Sequence, residues 1–177
     1  RKGDNQSRRR RPVTHRDCGN PSEIWDSIEF NTRGNIIALP SHIDDVVIDN
    51  LCVKYGGSHG VGAGNVHNLT VRNCEFGWIG GSLQYYINSD PIRYGNAVEI
   101  YGATKNFTVT DNYIYQVYDA GITHQISTVG KTYRMERVRY LDNLVEYCVY
   151  SIEYFLEING GSTGCCMKDI ERRGNIL

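Results

Sequence analysis

Residues 109–114 read VTDNYI, and the same six-residue pattern returns without gaps at four other places in the chain. The other copies are IDNLCV (48–53), VRNCEF (71–76), YLDNLV (140–145) and RRGNIL (172–177). The fourth position reads Leu51, Cys74, Asn112, Asn143 and Asn175. The sixth position is always apolar, and the copies start 23, 38, 31 and 32 residues apart. This spacing is typical of a solenoid whose surface loops absorb the differences between coils.

The local period around the repeats indicates strands. Apolar residues alternate with polar ones, as at Val46 and Ile48 and again at Leu69 and Val71. A column of asparagines repeated every 4.8 Å or so along a stack can hydrogen-bond along itself. We therefore expect a parallel β-helix in which each repeat is a strand of one sheet and its sixth residue faces the core. A β-sandwich is disfavoured, because it would need turns every eight to twelve residues or so.

Three segments carry a resemblance to a known group. They are NLTVRNCEF (68–76), RYGNAVEIYG (93–102) and NFTVTDNYIY (106–115), and they resemble the repeats of the pectate-lyase-like superfamily. The resemblance covers roughly residues 43–177. It implies an all-β, right-handed parallel β-helix of about five coils and a secreted or cell-surface location. That superfamily includes polysaccharide lyases, glycoside hydrolases, esterases, phage tailspikes and adhesins, so the fold leaves the reaction open.

Charge divides the 177 residues into two parts. Residues 1–17 hold seven Lys or Arg and two acids, whereas residues 18–177 carry twelve basic and eighteen acidic residues. We expect a disordered leader followed by one β-helix domain over 18–177. Because the run GNIL ends inside a repeat, we also expect a segment of a longer β-helix. The leader lacks interleaved aromatic residues, so nucleic acid is not an expected partner, and no apolar run approaches the length of a membrane span.

Six cysteines are present, and none forms a C-x-x-C pair, so a zinc site is not expected. We expect no cofactor; the resemblance allows calcium, but no motif supports it. Cys74 lies in the fourth column of the repeat, where a packed thiol fits. A disulfide between Cys52 and Cys74 is left open.

A second strand precedes each repeat and provides the candidate site. The segments are GVGAG (60–64), AVEIY (97–101), GITHQ (121–125) and SIEYF (151–155), and their alignment places Val61, Val98, Ile122 and Ile152 in one inward column. The flanking columns should then face outward. They place small residues on one side, glutamates in the middle and aromatic rings on the other. Rings that stack on sugars beside carboxylates that bind hydroxyls predict a groove for a polysaccharide or oligosaccharide.

The candidate catalytic residues are Glu99, Asp119, Glu153 and His124. Glu99 and Glu153 should lie two strands apart, which separates their backbones by about 9.6 Å. Carboxylates some 6.5 to 9.5 Å apart accommodate the water used by an inverting glycosidase. His124 should flank the same face and relay protons. The candidate substrate-binding residues are His59, Arg93, Tyr101, Trp78, Tyr85 and Tyr86.

The sequence therefore predicts a carbohydrate-active protein, with glycoside hydrolysis ahead of the alternatives. One alternative is a β-helix that binds glycans or serves as a structural spine without catalysis. The other is a polysaccharide lyase. The sequence does not decide the substrate, the stereochemistry or the oligomeric state.

Overall fold

The computed structural model describes residues 34–160 and 163–177. Its regular structure is entirely β, and no helix occurs among the described residues. The predicted leader over 1–17 and the beginning of the predicted domain, up to residue 33, lie outside the described residues. In the part of the chain that the structure describes, no segment forms a helix of the length and apolarity that crossing a membrane requires.

Among the described residues, sixteen strands follow one another in five coils and one inserted hairpin. The first coil contains β1 (Ile37–Leu39), β2 (Asp44–Asp49) and β3 (Cys52–Lys54). The second contains β4 (Val61–Gly64), β5 (His67–Arg72) and β6 (Glu75–Ile79), and the hairpin β7 (Leu83–Ile87) and β8 (Asp90–Arg93) follows. The third contains β9 (Val98–Tyr101), β10 (Lys105–Thr110) and β11 (Tyr113–Val117). The last two contain β12 (Ala120–Val129), β13 (Arg134–Leu141) and β14 (Leu144–Glu146), then β15 (Tyr150–Asn159) and β16 (Cys166–Arg173).

Strands of the same rank in successive coils pair in parallel and form three sheets. Sheet A has the order β1-β4-β9-β12-β15, sheet B the order β2-β5-β10-β13-β16, and sheet C the order β3-β6-β11-β14. The chain passes from A to B to C in each of the first four coils, and the fifth supplies strands to A and B. Only the hairpin pairs antiparallel among the described strands. This topology confirms the all-β expectation and is consistent with a β-solenoid.

The six-residue repeat is a corner between sheets B and C, and the expectation that it forms a strand of one sheet is wrong. Residues 48 and 49 end β2, whereas residues 52 and 53 begin β3. The third position of the repeat lies at the turn between them, and there φ is between 52° and 69° in all five copies. Those copies hold Asn50, Asn73, Asp111, Asp142 and Gly174. Asn, Asp and Gly tolerate this left-handed conformation, so the turn explains the composition of the column.

The asparagines at the fourth position stack as predicted. The Nδ2 atoms of Asn112, Asn143 and Asn175 donate to the carbonyls of Val71, Val109 and Tyr140 in the preceding coil, at 3.1, 2.9 and 2.7 Å. Their Oδ1 atoms accept the backbone N–H of Cys74, Asn112 and Asn143, at 2.9, 3.1 and 3.1 Å. The side-chain amides also bond to one another: Asn112 Nδ2 donates to Asn143 Oδ1, and Asn143 Nδ2 donates to Asn175 Oδ1, each at 2.9 Å. The ladder therefore joins each coil to the preceding one through backbone and side chain together.

Cys74 takes the place of an asparagine one coil earlier. Its sulfur accepts the N–H of Leu51 at 3.5 Å and lies 3.8 Å from the carbonyl of Ile48, the same two positions that an amide would reach. The thiol is 3% exposed, which confirms the packed thiol. Cys52 is a free, exposed cysteine whose Sγ lies 3.6 Å from Glu75 Oε2. The disulfide that the sequence left open is therefore not formed.

The interior is filled by columns of apolar side chains from all three sheets. In sheet C, Val53, Phe76, Ile114 and Val145 pair in register and are at most 4% exposed, as the sixth column predicts. Leu177 is different, because it lies beyond the last strand and is 65% exposed. The prediction of a buried sixth column therefore holds for four of the five copies.

Replacing Ile114 by Asp should lower the free energy of unfolding by several kcal/mol, because an unpaired charge would be buried where the native residue is 0% exposed. Gln116→Asp is the matched control: residue 116 lies on the same strand, is exposed and has φ 50°, which Asp tolerates. Denaturant titration measures both variants. Equal midpoints would show that the interior has been assigned wrongly.

Candidate functional site

The outer face of sheet A brings together most of the predicted site, because its strands pair in the predicted register. Val61, Val98, Ile122 and Ile152 form one column. One residue further, Gly62, Glu99, Thr123 and Glu153 form the next outward column, and Gly64, Tyr101, Gln125 and Phe155 form another. Glu99 and Glu153 thus lie on strands separated by one intervening strand, which carries Thr123.

The third outward column expected from the sequence, with small residues at 60, 97, 121 and 151, points the other way. Ala97 is 0% exposed and belongs to the core. A Cβ atom at Gly60 would meet the core side chains of Ile79 and Phe76 at 3.0 and 3.1 Å. These positions lie where the chain enters sheet A, so strict alternation does not yet apply, and they contribute no groove wall.

Glu99 is held by residues from the neighbouring loops. Its Oε2 lies 2.7 Å from Asn96 Nδ2, which donates, and 3.0 Å from His59 Nδ1. Asn96 is 2% exposed, and its Oδ1 accepts the backbone N–H of Ala120 at 2.8 Å. The glutamate is therefore braced against the following coil, and its position does not depend on its own side-chain rotamer alone.

His59 Nδ1 has two neighbours that need different protonation states. It lies 3.1 Å from the backbone nitrogen of Asn96, which can only donate, and 3.0 Å from Glu99 Oε2, which accepts. One ring nitrogen cannot serve both at once. Without a proton Nδ1 accepts from Asn96, and with a proton it donates to Glu99. The pair can therefore move a proton at the edge of the groove.

Glu153 is tied to the same face by side-chain donors. Thr123 Oγ1 donates to Glu153 Oε2 at 3.1 Å, and Gln125 Nε2 lies 3.3 Å from the same oxygen. Gln125 also reaches Thr123 Oγ1 at 3.1 Å. Thr123 is fully covered by these neighbours. Glu153 therefore closes a small polar network beside Glu99.

Asp119 is the acid whose electrostatic environment is most unusual in the groove. Burial raises its pKa, the negative charges of Glu153 and Glu99 raise it further, and His59 opposes them. No hydrogen-bond donor among the described residues reaches its carboxyl group. A carboxyl in this environment keeps its proton to higher pH than an ordinary aspartate.

Two adjoining depressions run along this face. One, of about 310 Å³, is lined by His59, Tyr85, Tyr94, Asn96, Glu99, Asp119 and Gln125. The other, of about 280 Å³, includes His59, Tyr94, Glu99 and Tyr101. Because the two share His59, Tyr94 and Glu99, they form one groove centred on Glu99, the sheet A groove.

Aromatic rings form the walls of the sheet A groove. Tyr94 stacks on His59 with centroids 5.1 Å apart, and Tyr85 from the hairpin meets Tyr94 edge to face at 6.3 Å. On the other side, Tyr101 lies over Gly64, where an added Cβ would come within 2.6 Å of its ring. The absence of a side chain at Gly64 thus makes room for the ring.

Five of the predicted residues do not line this groove. Glu153 lies beside it, within 3.3 Å of the lining residue Gln125. His124 points into the interior, 2% exposed, and its Nδ1 lies 2.9 Å from Tyr140 Oη. It is two residues from inward-facing Ile122, so strand alternation accounts for its direction.

The other three predicted residues lie on surfaces outside the groove. Trp78 lies on sheet C, where it stacks on Tyr55 with ring centroids 5.1 Å apart. Arg93 Nη1 donates to the Gly81 carbonyl at 2.8 Å at the base of the hairpin, and Tyr86 is an exposed hairpin residue outside both depressions.

Sequence reasoning did not identify two residues that organise the site, Tyr94 and Asn96. Both lie between the hairpin and β9, outside the six-residue repeats and the aligned segments of sheet A. Their only signal was proximity along the chain to Glu99. Gln125 appeared in the outward column but had been given no role.

No set of three His, Cys, Asp or Glu side chains converges to hold a metal ion within residues 34–160 and 163–177. Comparison with known proteins gave no match: no family model, no curated protein and no solved structure is significantly similar to this chain. The residues of the sheet A groove are therefore the basis for any functional assignment.

Replacing Asp119 by Asn should raise stability at neutral pH. A carboxyl whose folded-state pKa is raised contributes stability that is present below its unfolded pKa and is lost as pH rises through the folded value. As pH rises toward neutrality, ionisation of the half-buried Asp119 carboxyl therefore costs stability, whereas the variant has no carboxyl to ionise. Denaturant midpoints should be higher for the variant at pH 7, and the gain should shrink below about pH 4. Asp90→Asn, at an exposed position, is the control. A difference in midpoint between Asp119→Asn and the wild type that does not change with pH would contradict the raised pKa of Asp119.

Replacing His124 by Gln should flatten the loss of stability in acid. Burial, with a smaller contribution from Arg172, lowers the pKa of His124 to about 4. A lowered pKa means that stability is present above the unfolded pKa of about 6.5 and is lost as pH falls toward 4. The wild type should lose up to roughly 3 kcal/mol more than the variant across this range. If the free energy of unfolding fell equally with pH in the two proteins, the His124 imidazole would have to be exposed to solvent.

Proposed function

We propose that this chain is a carbohydrate-active, right-handed parallel β-helix of the pectate-lyase-like kind, which hydrolyses glycosidic bonds of a polysaccharide in the sheet A groove. The handedness is supported by the rule that crossovers between parallel strands are right-handed in almost all proteins. The three-sheet topology and the asparagine ladder support the family. A secreted or cell-surface location belongs to the same proposal, since that is where such polymers are found.

The observation that carries the proposal is the difference between two neighbouring acids. Burial and the charges of Glu153 and Glu99 raise the pKa of Asp119, and no donor among the described residues reaches its carboxyl group to hold the ionised form. Glu99 accepts a hydrogen bond from Asn96 Nδ2, and its Oε2 lies 3.0 Å from His59 Nδ1. A carboxyl group with a raised pKa beside a second carboxyl group is an arrangement that suits glycoside hydrolysis.

The roles follow from these environments. Asp119 would give its proton to the glycosidic oxygen as the bond to the sugar carbon breaks. Glu99 would take a proton from the water that attacks that carbon, and His59 would accept the proton and release it to solvent. Glu153 would hold sugar hydroxyls and raise the pKa of Asp119. Tyr94, Tyr85 and Tyr101 would provide faces or edges for the sugar rings.

A non-catalytic glycan-binding module remains a second candidate, because the depressions are shallow and Glu153 is already bonded to Thr123 and Gln125. A polysaccharide lyase is a weaker proposal. Neither Lys nor Arg lines the two depressions within the described residues, and a lyase needs a base and a cation near the sugar acid.

Replacing Glu99 by Gln should preserve the fold and lower turnover by about 100-fold or more, the usual scale for a lost general base. The amide keeps the shape of the side chain and removes its ability to take a proton. Activity is measured as release of reducing ends from neutral, acidic and amino-sugar polysaccharides.

Glu157→Gln is the control, because Glu157 is an exposed residue on β15 outside both depressions. It makes the same chemical change on the same sheet and should retain activity. Unchanged activity in Glu99→Gln would remove Glu99 from the mechanism. A wild type that binds glycans and cleaves none would establish the binding module instead.

A further inference from the structure

The charged side chains of the sheet A groove are mostly acidic. Glu99 and Asp119 line it, Glu153 lies beside it, and the charges of both glutamates raise the pKa of Asp119. The residues that line its two depressions include no Lys and no Arg among those the structure describes. His59 is the one lining side chain in that set that can carry a positive charge.

Arg93, in the adjoining hairpin, is engaged elsewhere: its Nη1 donates to the carbonyl of Gly81 at 2.8 Å and holds the base of the hairpin. Other described basic side chains pair with acids on sheet B, as between Arg139 and Asp169 and between Lys168 and Glu136. A ligand in the sheet A groove therefore meets acids that no described Lys or Arg lining the groove neutralises.

We propose that the sheet A groove takes glycan chains that carry free amino groups and rejects chains of uronic acids. This inference rests on the proposed function and names its substrate class. An ammonium group on a sugar would be attracted by the acids Glu99 and Asp119 of the groove and by Glu153 beside it. A uronate would bring a further negative charge to these acids, and like charges in a partly desolvated groove repel one another.

The hydrogen bonds that Glu99 and Glu153 accept support the same preference for amino groups over carboxylates on the sugar. Glu99 and Glu153 already accept hydrogen bonds from Asn96, Thr123 and Gln125, which uses their oxygens as acceptors. Acceptors of this kind recognise hydroxyl and ammonium donors and have nothing to offer a sugar carboxylate. The polar groups of the groove thus discriminate by hydrogen bonding as well as by charge.

The test compares three hexasaccharides of equal length: fully deacetylated glucosamine, N-acetylglucosamine and galacturonate. Affinity for the wild-type protein is measured by titration calorimetry at 50 mM and 500 mM salt, and cleavage of each is followed by mass spectrometry. The glucosamine hexamer should bind at least tenfold more tightly than the galacturonate hexamer at low salt. Its affinity should fall as salt is added, because screening weakens charge attraction.

Glu153→Gln should weaken binding of the glucosamine hexamer roughly fivefold and bring the two charged hexamers closer in affinity, since one charge at about 4 Å in water contributes about 1 kcal/mol. Glu157→Gln removes the same charge from the same strand outside the groove and should leave the order unchanged. Tighter binding of galacturonate would overturn the charge inference while leaving a glycan groove in place. Failure of all three sugars to bind would overturn the proposed function itself.

Discussion

The asparagine of each corner joins two coils by using both ends of its amide. Nδ2 donates to the first residue of the preceding repeat, and Oδ1 accepts the N–H of that repeat's fourth residue. Asn112 and Asn143 are at most 3% exposed, so these bonds are made away from water, where an unsatisfied amide would cost about 1 to 3 kcal/mol. The ladder fixes the axial register, and the columns of the three sheets follow from it.

The candidate site depends on that register because it is assembled across coils. Glu99, Thr123 and Glu153 come from three different strands and become neighbours only through pairing in sheet A. A shift by one residue would turn both glutamates into the core. The hairpin of β7 and β8 is free of this requirement, since it pairs with itself, and it can add Tyr85 to the rim without disturbing the stack.

Periodic features were predictable from the sequence and local exceptions were not. The inward column of Val98 and Ile122, the buried Ile114 and the stacked asparagines follow from composition at a fixed spacing. The position of the repeat at a corner could have been read from its third column, because Asn, Asp and Gly together mark a left-handed turn. The brace from Asn96 and the stacking of Tyr94 arise in a connecting segment without periodicity, so no pattern revealed them. The inward direction of His124 was available from alternation with Ile122 and was missed.

The direction of the ladder bonds has a consequence for how the chain is built. Each new corner residue brings the amide that satisfies the coil already formed, as Asn143 does for Asn112 and Asn175 for Asn143. During synthesis, each new coil can therefore fold onto the coil that precedes it in the chain, because a coil needs partners only from its immediate neighbours. The solenoid can fold one coil at a time, in the order of translation, before the carboxyl end of the chain has been made.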